Sequence, residues 1–471
     1  MDVTGGGKGM KRWRRLFRCF ALAACLAACL SAAGCGVQEG DKKGHDVALT
    51  IWHVYGGQTD SPFNAVIDEY NQTAGKEEGI YVQVASVTNT NTIHEDVLAA
   101  ANGDPGAAEL PDMFVSYPKT VLAMPDDGIL LNYEEYFDEE ARKAFLPEFL
   151  EEGRIGGRQL ILPIAKSTEI MYVNQTAFDR FAAQTGARLE EMETWEGLFD
   201  LAERYTAWTD EQTPEIPGDG KAFFAHDYHF DYFQVGTEAL GEDFFAGNTI
   251  AFGKAWEQLW RPYARAALRG AVWLENGYAT EALRTGDAIV TVASSASVLY
   301  YSDMVTYADN HSERIRITAF PCPVPSGGKK LVMQRGAGIC TVHSDPERDK
   351  AACHFLGWLT EPAENVKFVT SAGYMPVTQK AFDDFLPGAV SRLTSSKYRE
   401  LYQAFRKTQQ EYAFYTAPQL ETYLDLETDF EENVRLLLMA GRNAWREAGS
   451  RQTELDKTAD EILDQLKSRY A

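Results

Sequence analysis

Apolar and polar positions follow two distinct rhythms along this chain. Phe63, Val66, Ile67 and Tyr70 recur at i, i+3, i+4 and i+7, the spacing that lines one face of an α-helix. Ser61 just before them offers an acceptor to the free N–H groups of a first turn, and Pro62 suits the first helical position, where no donor is needed. On either side lie β-rich runs, "VALTIWHVY" before the helix and the alternating "GIYVQVASV" at 79–87 after it. A strand, a helix and a strand in that order predict a βαβ unit, hence a parallel sheet covered by helices.

The pattern recurs downstream. "PDMFVSY" predicts a buried strand and "QLILPIAKSTEIMYVN" a long β-rich segment. Thr194 caps a predicted helix whose Leu198, Leu201, Ala202 and Tyr205 repeat the helical spacing. "DAIVTVASSA" and "GAGICTVHS" read as further strands, and Asp345-Pro346 opens a helix carrying Ala352, Phe355, Leu356 and Leu359 on one face. From about residue 396 onward the pattern is mostly helical. No second tether or short repeat separates these pieces, which predicts lobes woven from non-contiguous segments.

The N-terminus follows different rules. Six cations (Lys8, Lys11, Arg12, Arg14, Arg15, Arg18) precede an apolar run too short to span a bilayer, and small residues then lead to Cys35. That is the layout of a secretory signal peptide. "AAGC" at 32–35 resembles a bacterial lipobox, with Ala32 in place of the usual leucine; this predicts a lipoprotein signal peptide over 1–34, diacylglycerol on the Cys35 thiol and a flexible tether over 35–46. An ordinary signal peptide or an uncleaved anchor helix is the alternative, and "RRLF" at 14–17 leaves the twin-arginine route open. The glycines in "TGGGKG" are no phosphate loop, because no strand precedes them.

Charge narrows the partners. The chain carries a net −24, and the mature part is more acidic still because the leader holds six cations and one acid. Such a surface repels nucleic acid and anionic lipid, so membrane attachment would depend on the lipid at Cys35. Beyond the leader region only Cys322, Cys340 and Cys353 remain, too few and too scattered for a disulfide framework or a metal site.

The order of motifs resembles a known family. From about 47 to about 445, "LTIWHVYGG", "LPDMFVSY", "DDGILLNYEEYF", "LILPIAKSTEIMYVNQTAF", "TWEGLFDLAERY" and the run from "GAGICTVHSDPERDKAACHFLGWLTEP" to "AGYMPVTQKAF" look like an extracellular solute-binding protein of a bacterial ABC importer, with maltose-type and glycerol-phosphate-type members. The resemblance implies a two-lobed α/β fold of the type II periplasmic-binding-protein kind, with interlobe hinge strands and a ligand cleft. It also implies a first crossing near Pro163–Lys166 and a return near Arg335–Gly338. The expected lobes are 47–163 with a return segment 335–385, and 164–334 with a mainly helical 386–471. The implied partners are a small solute, a sugar or polyol, and permease subunits; the protein would be an extracytoplasmic, membrane-anchored monomer using no cofactor and no metal.

Ligands in doubly wound sheets sit beyond the carboxyl ends of strands. That rule selects His53, Tyr55 and Gly56 after the first strand, Asn89 and Asn91 after the second, Ser116 and Tyr117 after the third, and Ser294 and Ser295 after a later one. The crossing segment adds Lys166, Ser167, Thr168 and Glu169, and the return segment and "AGYMPV" add Arg335, Gly336 and Tyr374. Hydroxyls, amides and carboxylates beside aromatic faces suit a sugar. Each has a structural alternative: Trp52 reads as core, Ser294 and Ser295 as turn hydroxyls, and Lys166 with Glu169 as a surface ion pair.

Two other functions compete with this one. Glycerol-phosphate-type relatives tend to carry an arginine where this chain has "YTAPQLETY" at 415–423, so an uncharged sugar or polyol leads over an anion, although Arg335 or Lys166 could substitute. A secreted carbohydrate-active hydrolase is the other alternative. No Gly-x-Ser-x-Gly elbow or His-Glu-x-x-His occurs, and His226 and His229, which at i, i+3 on a helix could share an ion, read better as structural or ligand-contacting.

Overall fold

The computed structural model describes residues 47–56, 61–89 and 92–471. The predicted leader and tether, Cys35 and Asn91 lie outside these residues.

In chain order the strands that matter are β1 (Val47–His53), β2 (Ile80–Val87), β3 (Met113–Ser116), β4 (Leu162–Pro163), β5 (Ser167–Asn174) and β6 (Phe224–His226). They are followed by β7 (Val272–Trp273), β8 (Val290–Ser294), β9 (Ile317–Pro321), β10 (Leu331–Arg335), β11 (Gly338–Thr341) and β12 (Ala413–Tyr415). Two sheets result. The first runs β2-β1-β3-β11-β4, and the second runs β7-β6-β8-β5-β10-β12 with β9 also on β5.

The first sheet begins with the predicted βαβ unit. β1 and β2 pair in parallel, and between them the helix Pro62–Gln72 buries Phe63, Val66, Ile67 and Tyr70 while Ser61 accepts from the N–H of Asn64. β3 joins β1 in parallel, and β11 returns antiparallel between β3 and β4. The predicted helix Pro346–Thr360, capped by Asp345, puts Ala352, Phe355, Leu356 and Leu359 into the core of this sheet.

The second sheet is organised around β5, every residue of which is buried. Its side chains alternate between two cores: Met171 and Val173 enter one, with the helix Trp195–Asp210 and the C-terminal helices, and Ile170 and Tyr172 enter the other, with the helix Ser396–Glu411. A strand covered on both faces has no room for the polar alternation of an edge strand, and its middle, Ile170–Val173, is a continuous apolar run.

Three segments pass between the sheets. Chain leaves β4 for β5 through Ile164–Lys166 and returns from β10 to β11 through Gly336 and Ala337. A third pass follows the helix Pro362–Ala372, where Met375 exchanges both backbone hydrogen bonds with Lys166. Beyond it Met375, Ala381 and Phe382 pack with Ile170 and Tyr172 of the second sheet, although 335–385 was expected to stay with the first; the backbone pairing at Lys166 turns the chain across some ten residues earlier. The crossings are tightly seated: Gly336 has φ +94°, and a Cβ there would meet the Ser167 N at 2.8 Å and the Ala165 O at 2.9 Å. Glycine alone fits that approach without strain.

Among the described residues no helix is long and apolar enough to cross a membrane. Cys322, Cys340 and Cys353 are buried free thiols.

Candidate functional site

The carboxyl ends of β1, β3, β6 and β8 and the three crossings converge on one region. From the first sheet come Tyr55 and Tyr117; Tyr374 joins them from the third crossing. Tyr55 and Tyr374 meet edge to face with ring centroids 5.3 Å apart, and Phe63 and Phe368 back Tyr55 at 5.2 and 5.1 Å. Tyr374 also feels Tyr117, Tyr228 and Tyr300 electrostatically, although burial is the main reason its phenol is raised well above the usual range. The Tyr55 hydroxyl is buried and has no hydrogen-bond partner among the described residues. An unpartnered hydroxyl in such a place costs free energy unless something else satisfies it.

The second sheet supplies charge. Arg335, at the end of β10, forms an ion pair with Asp231, and its guanidinium lies over the Tyr228 ring at 3.4 Å. Asp231 stands in the first turn of the helix His229–Ala239. Burial pushes its carboxyl up, and Arg335 opposes the shift. Glu169 on β5 is likewise pushed up to about 7 by burial, and its Oε1 lies 3.2 Å from the His226 Nε2. That histidine is desolvated and brought down to about 3, so it is neutral at physiological pH.

One ion pair joins the two sides. Lys119, in the short helix Pro118–Leu122 after β3, reaches Glu427 of the helix Tyr423–Glu447 at 2.5 Å. Tyr117 senses both Arg335 and Glu427; burial raises its phenol to about 12. His94 lies beside this pair, its ring 5.2 Å from that of Tyr117 and its Nδ1 against the Thr120 hydroxyl. Burial, helped by Lys119, brings it down to about 4.

The remaining sequence-selected residues fall into other roles. His53 is turned into the first core, its Nε2 2.7 Å from the Asn64 Oδ1; burial brings it to about 4. Trp52 is core as expected. Gly56 follows Tyr55 at φ +97°. Ser116 is buried beside the Cys340 thiol, and Asn89 is exposed, its Oδ1 accepting from the N–H of Thr92. Ser167 pairs with Arg335 through the backbone, and the Thr168 hydroxyl donates to the Met333 carbonyl at 2.9 Å. Ser294 caps the turn after β8, whereas the buried Ser295 hydroxyl has no partner among the described residues.

Two of the alternative readings fail. Lys166 and Glu169 do not form a surface pair: Lys166 is buried against Glu152 and donates to the Gly336 carbonyl at 3.1 Å, while Glu169 turns toward His226. Positions three apart on extended backbone point to opposite faces. Glu152 also accepts from Gln334 at 2.7 Å, so one carboxylate holds both the first and the second crossing. His226 and His229 are not on one helix face either: His226 ends β6 and His229 begins the following helix, where its Nδ1 lies 2.7 Å from the Tyr263 hydroxyl. Among the described residues no group of His, Cys, Asp and Glu could hold a metal ion.

Sequence reading missed Tyr228, Asp231, Lys119, Glu427 and His94. "HDYHFD", whose histidines read as structural or ligand-contacting, also holds a signal for Tyr228 and Asp231, an aromatic beside acids. Lys119 and Glu427, 308 residues apart, gave none.

Residues 65–392 match the family of bacterial extracellular solute-binding proteins. The chain belongs to this family. The binding protein's fold is shared with the cyclic alpha-maltosyl-1,6-maltose binding protein from Arthrobacter globiformis, at 18% identity and TM-score 0.63, over 90% of this chain and 99% of that one. It is shared also with UgpB from Mycobacterium tuberculosis, solved with glycerophosphocholine, at 17% identity and TM-score 0.64, over 89% and 98%. Maltose-bound MalE3 of T. maritima gives 16% identity and TM-score 0.61 over 89% and 99%. At these identities the likeness is one of fold. No curated protein sequence matches the chain.

Proposed function

We propose that this binding protein captures an uncharged, polyhydroxylated solute, a sugar or polyol, between its two lobes and delivers it to the permease of an ABC importer. The observation that carries this reading is charge matching beside an aromatic wall. Arg335 is paired with Asp231, Lys119 with Glu427 and Lys166 with Glu152, so each of these cations already has an internal carboxylate. A phosphate entering the cleft would have to displace one of them and strand its charge in a desolvated place. A neutral sugar needs only ring faces and hydrogen-bond partners, and Tyr55, Tyr117, Tyr228 and Tyr374 with Glu169, Asp231 and Ser295 offer both. The sugar ligands of the Arthrobacter and T. maritima proteins support the same choice; glycerophosphocholine in UgpB keeps a phosphodiester as the second reading.

The protein works as a monomer held outside the cytoplasm by diacylglycerol on Cys35, and it binds its solute without turning it over. A thermal-shift screen of the mature protein over oligosaccharides, polyols and polyol phosphates tests the solute class, since a ligand raises the midpoint by mass action. Chromatography of the same mixtures separates binding from hydrolysis. Stabilisation by polyol phosphates alone, or product formation, overturns the reading. Fatty-acid labelling that persists in Cys35→Ser overturns the anchor.

A further inference from the structure

The contact between Lys119 and Glu427 joins elements that are far apart in the chain, and it lies where the two sides of the cleft approach. Lys119 follows β3 of the first sheet, and Glu427 sits on a helix packed on the second. Their side chains are 22% and 14% exposed. The pair is therefore largely screened from bulk water. Lys119 is two residues from Tyr117, which also senses Arg335.

We propose that Glu427 is a specificity-determining residue: by clasping Lys119 across the cleft it takes that ammonium group away from the solute and excludes anionic ligands. This rests on the neutral-solute reading and names the residue that enforces it. Burial alone would push the Glu427 carboxyl up, but Lys119 and Arg335 outweigh burial and hold it below its ordinary range, so it is ionised at neutral pH. An anion placed beside Lys119 would face that charge and Asp231 at once. Like charges brought together in a desolvated site oppose binding strongly, and this is how a site rejects a wrong partner. Without the carboxylate, the same ammonium group would stand unpaired beside Tyr117 and His94, suited to a phosphate monoester.

The test is isothermal titration of wild type, Glu427→Gln and the double variant Lys119→Gln/Glu427→Gln with glycerol 3-phosphate. Wild type should give weak or no binding. Glu427→Gln should bind at least about ten-fold more tightly, and the gain should shrink as salt rises from about 50 to about 500 mM. The double variant should lose the gain. If Glu427→Gln does not fold, Glu427→Met carries the same expectation. A folded single variant that binds no better than a non-binding wild type overturns this inference alone, as does a gain that survives in the double variant. Tight binding of glycerol 3-phosphate by wild type overturns the neutral-solute reading itself.

Discussion

On the side built from the first sheet, Tyr55 and Tyr374 stand edge to face with Phe63 and Phe368 behind them, while on the other side Glu169, His226, Asp231 and Tyr228 gather around Arg335. Both regions are desolvated, but desolvation acts differently on each. Around Tyr55 it removes apolar area from water and stabilises the lobe, with one orphan hydroxyl as the cost. Around Arg335 it works against every charged form, and only the pairing of opposite charges makes the arrangement tolerable. The aromatic side can thus be trimmed at moderate cost, whereas the charged side fails when one partner is removed.

The largest effect follows from breaking that pairing. Asp231 has a side chain only 1% exposed, so Arg335→Met would leave it without its counter-charge. Urea denaturation should report a loss of about 3–5 kcal/mol, the usual result of stranding a buried charge. A loss below about 1 kcal/mol would show that the charged side is no more fragile than a surface pair.

Next comes Glu169, whose carboxyl burial moves from its ordinary 4.5 up to about 7. A raised carboxyl holds its proton more tightly in the folded chain than in the unfolded one. The stability it contributes is therefore complete below pH 4.5 and is lost as pH rises to about 7. Glu169→Gln should remove that decline and stand above wild type at pH 8 by up to about 3 kcal/mol. Parallel stability profiles for the two proteins between pH 4 and pH 8 would refute this.

The smallest effects belong to the aromatic side. Tyr374→Ala should weaken solute binding by about 1–3 kcal/mol in calorimetry. Tyr55→Phe deletes only the orphan hydroxyl, so thermal stability should hold or rise while affinity falls by about 1 kcal/mol. An unchanged affinity would mean that this hydroxyl does not meet the solute.

Much of the scaffold was legible because local rules and tertiary packing agree. The spacing of Phe63, Val66, Ile67 and Tyr70 named a helix face, and that face is buried; Thr194 and Asp345 start helices as capping predicts. The site was legible only in part. Tyr55 and Tyr117 follow from the rule that ligands sit beyond strand ends and Tyr374 from the "AGYMPV" segment, yet the same rule selected His53, which the pleat turns inward to Asn64. It gave no means of separating the two, because the face a residue takes at a strand end depends on where the strand stops pairing.

The sequence by itself determined the alternation of strands and helices, the caps, the acidic surface and the glycine at 336, because each depends on neighbours a few residues away or on composition. The partners of the charges were decided only by the tertiary structure. Lys166 found Glu152 instead of Glu169, Arg335 found Asp231, and Lys119 found Glu427. Such pairings depend on which desolvated groups three separate crossings bring within a few ångströms, and no local pattern encodes that distance.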